Sequence, residues 1–230
     1  GTVIFDETQI VCSRTASAVR FAFNNADYAF GYSASPWRDD GSDMMIEAAF
    51  GPRICDISAS SLIEQGYLVQ PHITIKRTQS IQCDKGTYEQ VYKAAIVENP
   101  SRNMQVVSDA ISHYDLGRSV LTLVTQIKHG EILERMMRDT GRPAIFISGK
   151  HGSGYRNKVI QEMRDGKSPL IIATTIADVG LDVPRLHTVV EAGAGKSSVI
   201  ALQRVGRIMR PFEGKDKCYF ITYRDKAQYL

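Results

Sequence analysis

Apolar residues in this chain fall into short runs of two kinds, and the two kinds take turns. Compact apolar and β-branched runs predict strands at 3–5, 27–32, 119–124, 144–147, 170–173, 186–190 and 217–222. Apolar residues spaced three and four apart predict helices at 13–23, 42–50, 60–65, 87–97, 103–114, 129–138, 156–164 and 198–208. Ser13 and Ser42 stand where N-caps are needed, Gly66 where a helix should close, and Asn99-Pro100 separates two helical stretches. Residues 54–57 read as short and extended. Residues 69–76 are extended and contain Pro71, which suits a crossing between domains, so the boundary is placed near Pro71.

From residue 119 the alternation is regular. Five strand runs separated by helices predict an α/β fold, a parallel sheet with helices on both faces. Ligands of such sheets gather at the carboxyl ends of the strands, where the connections change direction. There is no internal repeat and no low-complexity tract.

Composition changes this picture little. A length of 230 residues can hold one large core or two modest ones. Net charge is +3, from 28 basic and 25 acidic residues, so any basic surface for nucleic acid must come from placement. Cys12, Cys55, Cys83 and Cys218 are far apart with no C-x-x-C pair, which argues against a zinc site or a disulfide framework. No apolar run is long enough to span a bilayer, and no signal-peptide pattern opens the chain. An intracellular setting with reduced thiols is the expectation.

Four segments could carry chemistry. Asp6-Glu7 closes the first strand, where an Asp can hold a nucleotide-bound magnesium and a Glu can orient water; two acids after an apolar run also suit a solvated turn. Ser33-Ala34-Ser35 follows the second strand and can relay hydrogen bonds, or simply turn the chain before Pro36. The segment from Ala173 to Pro184 joins a strand to a tight loop. There Thr174 could meet a phosphate and Asp182 a ribose hydroxyl, or the acids could cap their own backbone. The octet Gln203-Arg204-Val205-Gly206-Arg207-Ile208-Met209-Arg210 is the most specific. It repeats arginine every third residue, places Arg207 and Arg210 on nearly one helix face, and keeps Val205, Ile208 and Met209 for packing. Two neighbouring guanidiniums repel unless an anion lies between them, and they match phosphate oxygens. Gly193-Ala194-Gly195-Lys196-Ser197 imitates a phosphate-binding loop, but Val190 stands where its first glycine is required.

Taken in order, these segments resemble the superfamily 2 helicases and translocases over nearly the whole chain. Asp6-Glu7-Thr8-Gln9 looks like motif II, Ser33-Ala34-Ser35 like motif III, residues 121–126 sit where motif IV belongs, residues 173–184 are similar to motif V and the arginine octet to motif VI. Within the superfamily the likeness is to the DEAD/DEAH-like branch holding UvsW-type phage helicases and restriction-enzyme motor subunits. The resemblance implies ATP and Mg²⁺ as cofactors, with Asp6 on the metal and Glu7 activating the attacking water. It implies that Gln9, Ser33 and Ser35 couple hydrolysis to movement, and that Gly180 and Asp182 face the nucleotide. It further implies that Thr174 meets the nucleic-acid backbone, that Gln203 links nucleotide to domain interface, and that Arg207 and Arg210 reach the γ-phosphate. Gln9 and Ser35 depart from the family's usual His and Thr.

The resemblance also implies a division: residues 1–70 as the tail of a first RecA-like domain and residues 71–230 as a complete second one. The family's P-loop, which would precede Asp6, is not in the chain. The expectation is therefore a fragment that does not hydrolyse ATP alone and whose partners are nucleic acid, DNA before RNA, and the rest of its first domain. The alternative is a catalytically inactive helicase-like module that binds nucleic acid or protein.

Overall fold

A computed structural model of the chain describes residues 1–34, 41–79, 86–167, 170–174, 183–193 and 198–225, with 198–200 as backbone only. It separates into two compact units, Gly1–Ser61 with Ser197–Gln203, and Leu62–Lys196 with Arg204–Leu230.

In the first unit, β1 (Thr2–Phe5) and β2 (Tyr28–Gly31) pair in parallel, with Thr2 opposite Tyr28 and Phe5 opposite Gly31. A tight 3-10 turn at Thr8–Cys12 leads into α1 (Arg14–Ala22). Ser13 caps α1, its hydroxyl accepting from the Ala16 N–H, as its position predicts. For α2 (Met44–Phe50) the cap is Asp43 rather than Ser42, and no side chain closes it. Residues 54–57 form no strand, and α3 (Ala59–Glu64) is followed by Gly66 in the left-handed conformation that ends helices.

The second unit is built on six parallel strands in the order β3-β8-β7-β4-β6-β5. These are β3 (Gln70–Arg77), β4 (Val120–Val124), β5 (Ile145–Ile147), β6 (Leu170–Thr174), β7 (Thr188–Glu191) and β8 (Lys217–Arg224). The run containing Pro71 is thus a sheet edge, paired with β8 along its whole length; Pro is tolerated at an edge because its missing N–H breaks no central ladder. Its helices are α4 (Tyr88–Tyr92), α5 (Pro100–Asp115), α6 (Ile127–Asp139) and α7 (Ser153–Arg164); of α8 (Ser198–Ile208), the part from Arg204 belongs to this unit. A π turn at Lys93–Val97 extends α4, and Asn99 caps α5 with Pro100 at its first position.

Val106, Val107 and Ala110 of α5 and Leu133 and Met137 of α6 share one buried cluster with Val120, Val124, Leu170, Ile172 and Val190. The alternate residues Leu121, Leu123, Ile171 and Ala173 are buried as well, so the sheet is covered on both faces. From β4 the chain moves outward to β5, returns to β6, then crosses to β7 on the other side of β4. That reversal is a topological switch point, and the carboxyl ends of β4, β6 and β7 meet there.

Candidate nucleotide and nucleic-acid site

The first unit presents the predicted acids at the carboxyl end of its strand pair. Two backbone bonds stitch this end: Tyr32 N–H to Phe5 C=O at 2.8 Å and Thr8 N–H to Tyr32 C=O at 3.0 Å. Gly31 is required there, since a Cβ would collide with the Thr8 methyl. Asp6 and Glu7 are exposed. Glu7 has φ 54° and ψ 55°, and is the one non-glycine residue with positive φ among those described. Such a conformation costs roughly 1–3 kcal/mol and tends to be kept at functional positions.

Three predicted residues share one hydrogen-bond chain. The Gln9 amide donates to Glu7 Oε2 at 2.6 Å, and the Ser33 hydroxyl donates to Gln9 Oε1 at 2.5 Å. Gln9 is buried, so its amide is held between the acid after β1 and the hydroxyl after β2. Asp6 Oδ1 accepts the Glu7 N–H at 2.9 Å and leaves an exposed carboxylate at the strand end. Among the described residues no three His, Cys, Asp or Glu side chains cluster into a cage. A single exposed carboxylate such as that of Asp6 is the kind of group that holds a magnesium together with phosphate oxygens. Ser35 lies outside the described residues.

In the second unit one predicted residue, Thr174, lies at the switch point. Thr174 is the last residue of β6; it is buried, and its Oγ1 meets no hydrogen-bond partner among the described residues. Gly180 and Asp182 lie outside the described residues. At the end of β7, Gly193 approaches the Thr125 backbone so closely that a Cβ would sit 3.0 Å from the Thr125 nitrogen, and Tyr92 and Thr125 share a hydroxyl–hydroxyl bond. The remaining phosphate-loop look-alike, residues 194–197, is outside the described residues.

The three arginines of α8 and its end are sorted by their surroundings. Arg204 pairs with Glu191, the last residue of β7, and the two side chains are only 11% and 12% exposed. Arg207 is half-buried and has no partner among the described residues. Arg210 is exposed, and Gln203 is half-buried. Val205, Ile208 and Met209 are buried, as their spacing predicts.

Some supporting residues had no signature in the sequence. Glu191 is one. Arg102, at the start of α5, is almost fully buried. It donates to both carboxylate oxygens of Asp225 (2.8 and 3.1 Å) and to the Ala192 carbonyl (2.7 Å), while Thr78 donates to the same acid at 2.6 Å. Lys215 is another. It is 5% exposed, burial pushes its amine down to about 8, and it donates to the carbonyls of Pro184 (2.9 Å) and Arg210 (3.0 Å). A lysine after a glycine reads in sequence as a solvated turn. His129 of α6 is buried and bonded through Nε2 to Asn103 at 2.9 Å, with burial and then the Arg102 charge holding it down to about 3.

Comparison with known proteins bears on the family and the fold. Residues 102–211 match the helicase conserved C-terminal domain. "Putative helicase 22" of Sulfolobus islandicus filamentous virus is 30% identical over 208 residues, covering 83% of this chain and 36% of that protein. The ATP-dependent DNA helicase uvsW of Enterobacteria phage T4 is 24% identical over 221 residues, covering 94% of this chain and 44% of its own length. The T4 UvsW structure superposes with a TM-score of 0.56 at 20% identity, over 98% of this chain and 45% of that one. The DUF1998 helicase MrfA, solved bound to DNA, superposes with a TM-score of 0.67 at 14% identity, over 98% of this chain and 29% of its own. Both superpositions bear on the fold, which is the RecA-like one. RNA helicases match as well: DDX17 of Mus musculus is 30% identical over 49% of this chain, and the rRNA helicase RRP3 of Meyerozyma guilliermondii is 22% identical over 83% of it. The chain spans 36% to 44% of the two curated relatives' lengths. Residues 102–211 are thus a helicase conserved C-terminal domain, of the superfamily 2, UvsW-like kind.

Proposed function

We propose that the chain is the part of an ATP-dependent DNA helicase or translocase that runs from motif II to motif VI, with residues 1–70 ending a first RecA-like domain and residues 71–230 forming the second. The observation that carries this reading is the sorting of the arginines. Arg204 is neutralised by Glu191, while Arg207, three residues on, is half-buried without an anionic partner among the described residues. Desolvating a guanidinium without an anion is costly, and a phosphate offers the matching oxygens.

Each residue then has a role. Asp6 holds the Mg²⁺ that neutralises charge on the ATP phosphates, and Glu7 orients the attacking water. Gln9, bonded to Glu7 on one side and to Ser33 on the other, passes the state of that acid to the segment holding Ser35. Gly180 and Asp182 contact the nucleotide, and Gln203 links it to the domain interface. Arg207 and Arg210 stabilise charge on the γ-phosphate, and the Thr174 hydroxyl reaches toward the nucleic-acid backbone. The P-loop comes from the rest of the first domain. DNA is favoured over RNA by the likeness to the DNA helicases uvsW and Rad25, which match over 94% and 92% of the chain; an rRNA helicase matches over 83% of it at 22% identity.

The test is turnover by the full-length protein. R207A and R210A are each expected to lower kcat by roughly 10³-fold or more, the scale of an arginine finger, while DNA affinity stays within a few fold. Normal basal turnover combined with lost DNA binding would remove the finger assignment. The 230 residues alone are expected to show no DNA-stimulated ATP hydrolysis. Stimulation of the full-length enzyme by RNA but not DNA would reverse the substrate assignment.

A further inference from the structure

Past Ile208 the chain turns back sharply. The Lys215 N–H donates to the Phe212 carbonyl at 2.9 Å, and Gly214 adopts φ 74°, a conformation glycine takes without penalty. This turn returns the Lys215 amine to the end of α8, where it donates to the Arg210 carbonyl at 3.0 Å. The preceding carbonyl, that of Met209, is held by the Val69 N–H at 2.8 Å. Two successive carbonyls at this helix end are therefore pinned.

A helix-capping lysine would need nothing more, and most remain in solvent. Lys215 is 5% exposed and has a second acceptor, the Pro184 carbonyl at 2.9 Å. Pro184 stands two residues after Asp182 in the chain. The same two segments meet again where the Arg185 guanidinium lies 4.7 Å from the Phe212 ring centre. An ammonium ion has been desolvated here, and what it gains is a link between the last residue of motif V and the last residue of motif VI.

We propose that Lys215 is a positioning residue, locking the end of the arginine helix to the segment that follows Gly180 and Asp182 so that the Arg210 guanidinium is presented at one depth. The inference rests on the finger reading of Arg210 given above. A displacement of about 1 Å at a catalytic group can cost on the order of 10²-fold in rate, so a link this short is worth keeping.

The experiment compares K215R, K215Q and K215M in the full-length, ATP-hydrolysing protein. K215R retains donors for both carbonyls and is expected to keep kcat within about fivefold of the unaltered protein. K215M is expected to lose about 10- to 100-fold in kcat with the KM for ATP within about threefold, and K215Q to fall between. A kcat for K215M within twofold of the parent overturns the proposal. So does a fall in kcat that follows melting temperature across the series, as a purely structural strut requires. R210A, run alongside, separates the two ideas. Normal turnover in R210A removes the finger reading itself, whereas an inactive R210A beside a normal K215M removes only the role of Lys215.

Discussion

Arg204, Arg207 and Arg210 share one spacing and one segment but end in three environments. Arg204 and Glu191 bury their charges against each other, so removing one partner strands the other in a low-dielectric setting. R204M is expected to destabilise the chain by about 3 kcal/mol in urea unfolding, and R204M/E191M to recover most of that loss, because breaking a buried pair costs more than replacing it. R207A should leave the unfolding midpoint nearly unchanged. Equal destabilisation by R204M and R207A would mean that both arginines are structural. Glu7 allows a second test at the same scale. E7Q keeps the left-handed backbone and the reach to Gln9 while removing the charge; it is expected to abolish turnover in the full-length protein with nucleotide affinity retained.

Among the elements, α6 shows most clearly how packing sets position. Gly130 faces Phe146 of β5, and a Cβ at Gly130 would fall within the Phe146 ring. The helix can lie this close to the strand only without a side chain there. From this depth Glu134 accepts the Phe146 N–H at 3.0 Å, and Arg138 donates to the Ala144 carbonyl at 2.9 Å, so two backbone groups on the short edge strand are satisfied by side chains of α6. G130A is expected to cost about 1–3 kcal/mol by overpacking. G206A is the contrasting control: a Cβ at Gly206 meets nothing within 4 Å, and on helix propensity alone it should stabilise α8 by roughly 0.5–1 kcal/mol. Chemical unfolding of both variants checks the difference in sign.

For the whole molecule, pH acts through three histidines that the fold buries wholly or in part. His113, His129 and His187 all lie below the usual histidine range, each because burial penalises the charged ring, with nearby cations adding to it. His129 is the strongest case, held at about 3 against 6.5 in an unfolded chain. A depressed histidine contributes its full stability above the unfolded value, and that contribution is lost as pH falls from 6.5 toward 3, because the unfolded chain takes up the proton first. At pH 4.5, two units below 6.5, His129 alone should lower stability by about 2–3 kcal/mol relative to pH 7.5. The unfolding midpoint should drop over this range, and the drop should shrink in H129Q. A midpoint unchanged between pH 7.5 and 4.5 would contradict a buried neutral His129.

Much of the fold was legible from residue 119 onward, because buried parallel strands are continuous apolar runs and the helices between them keep a clean period. The parallel sheet, the cap at Ser13, the break at Asn99-Pro100 and the packing side of α8 follow from local patterns. The edge strand β3 was not legible as part of that sheet. Its hydrogen-bond partner, β8, lies 147 residues away, from Gln70 to Lys217, and a run holding a proline and exposed isoleucines carries no local sign of such pairing. The candidate residues divide in the same way. Residue type and spacing in one segment can nominate Asp6, Glu7, Arg207 and Arg210 as chemical groups. That Gln9 bridges Glu7 to Ser33, that Glu191 neutralises Arg204 and that Lys215 joins Pro184 to Arg210 was decided only in three dimensions. The reason is physical: whether a charge is free or satisfied depends on which side chain the fold brings within hydrogen-bonding distance, and that partner can lie anywhere in the chain.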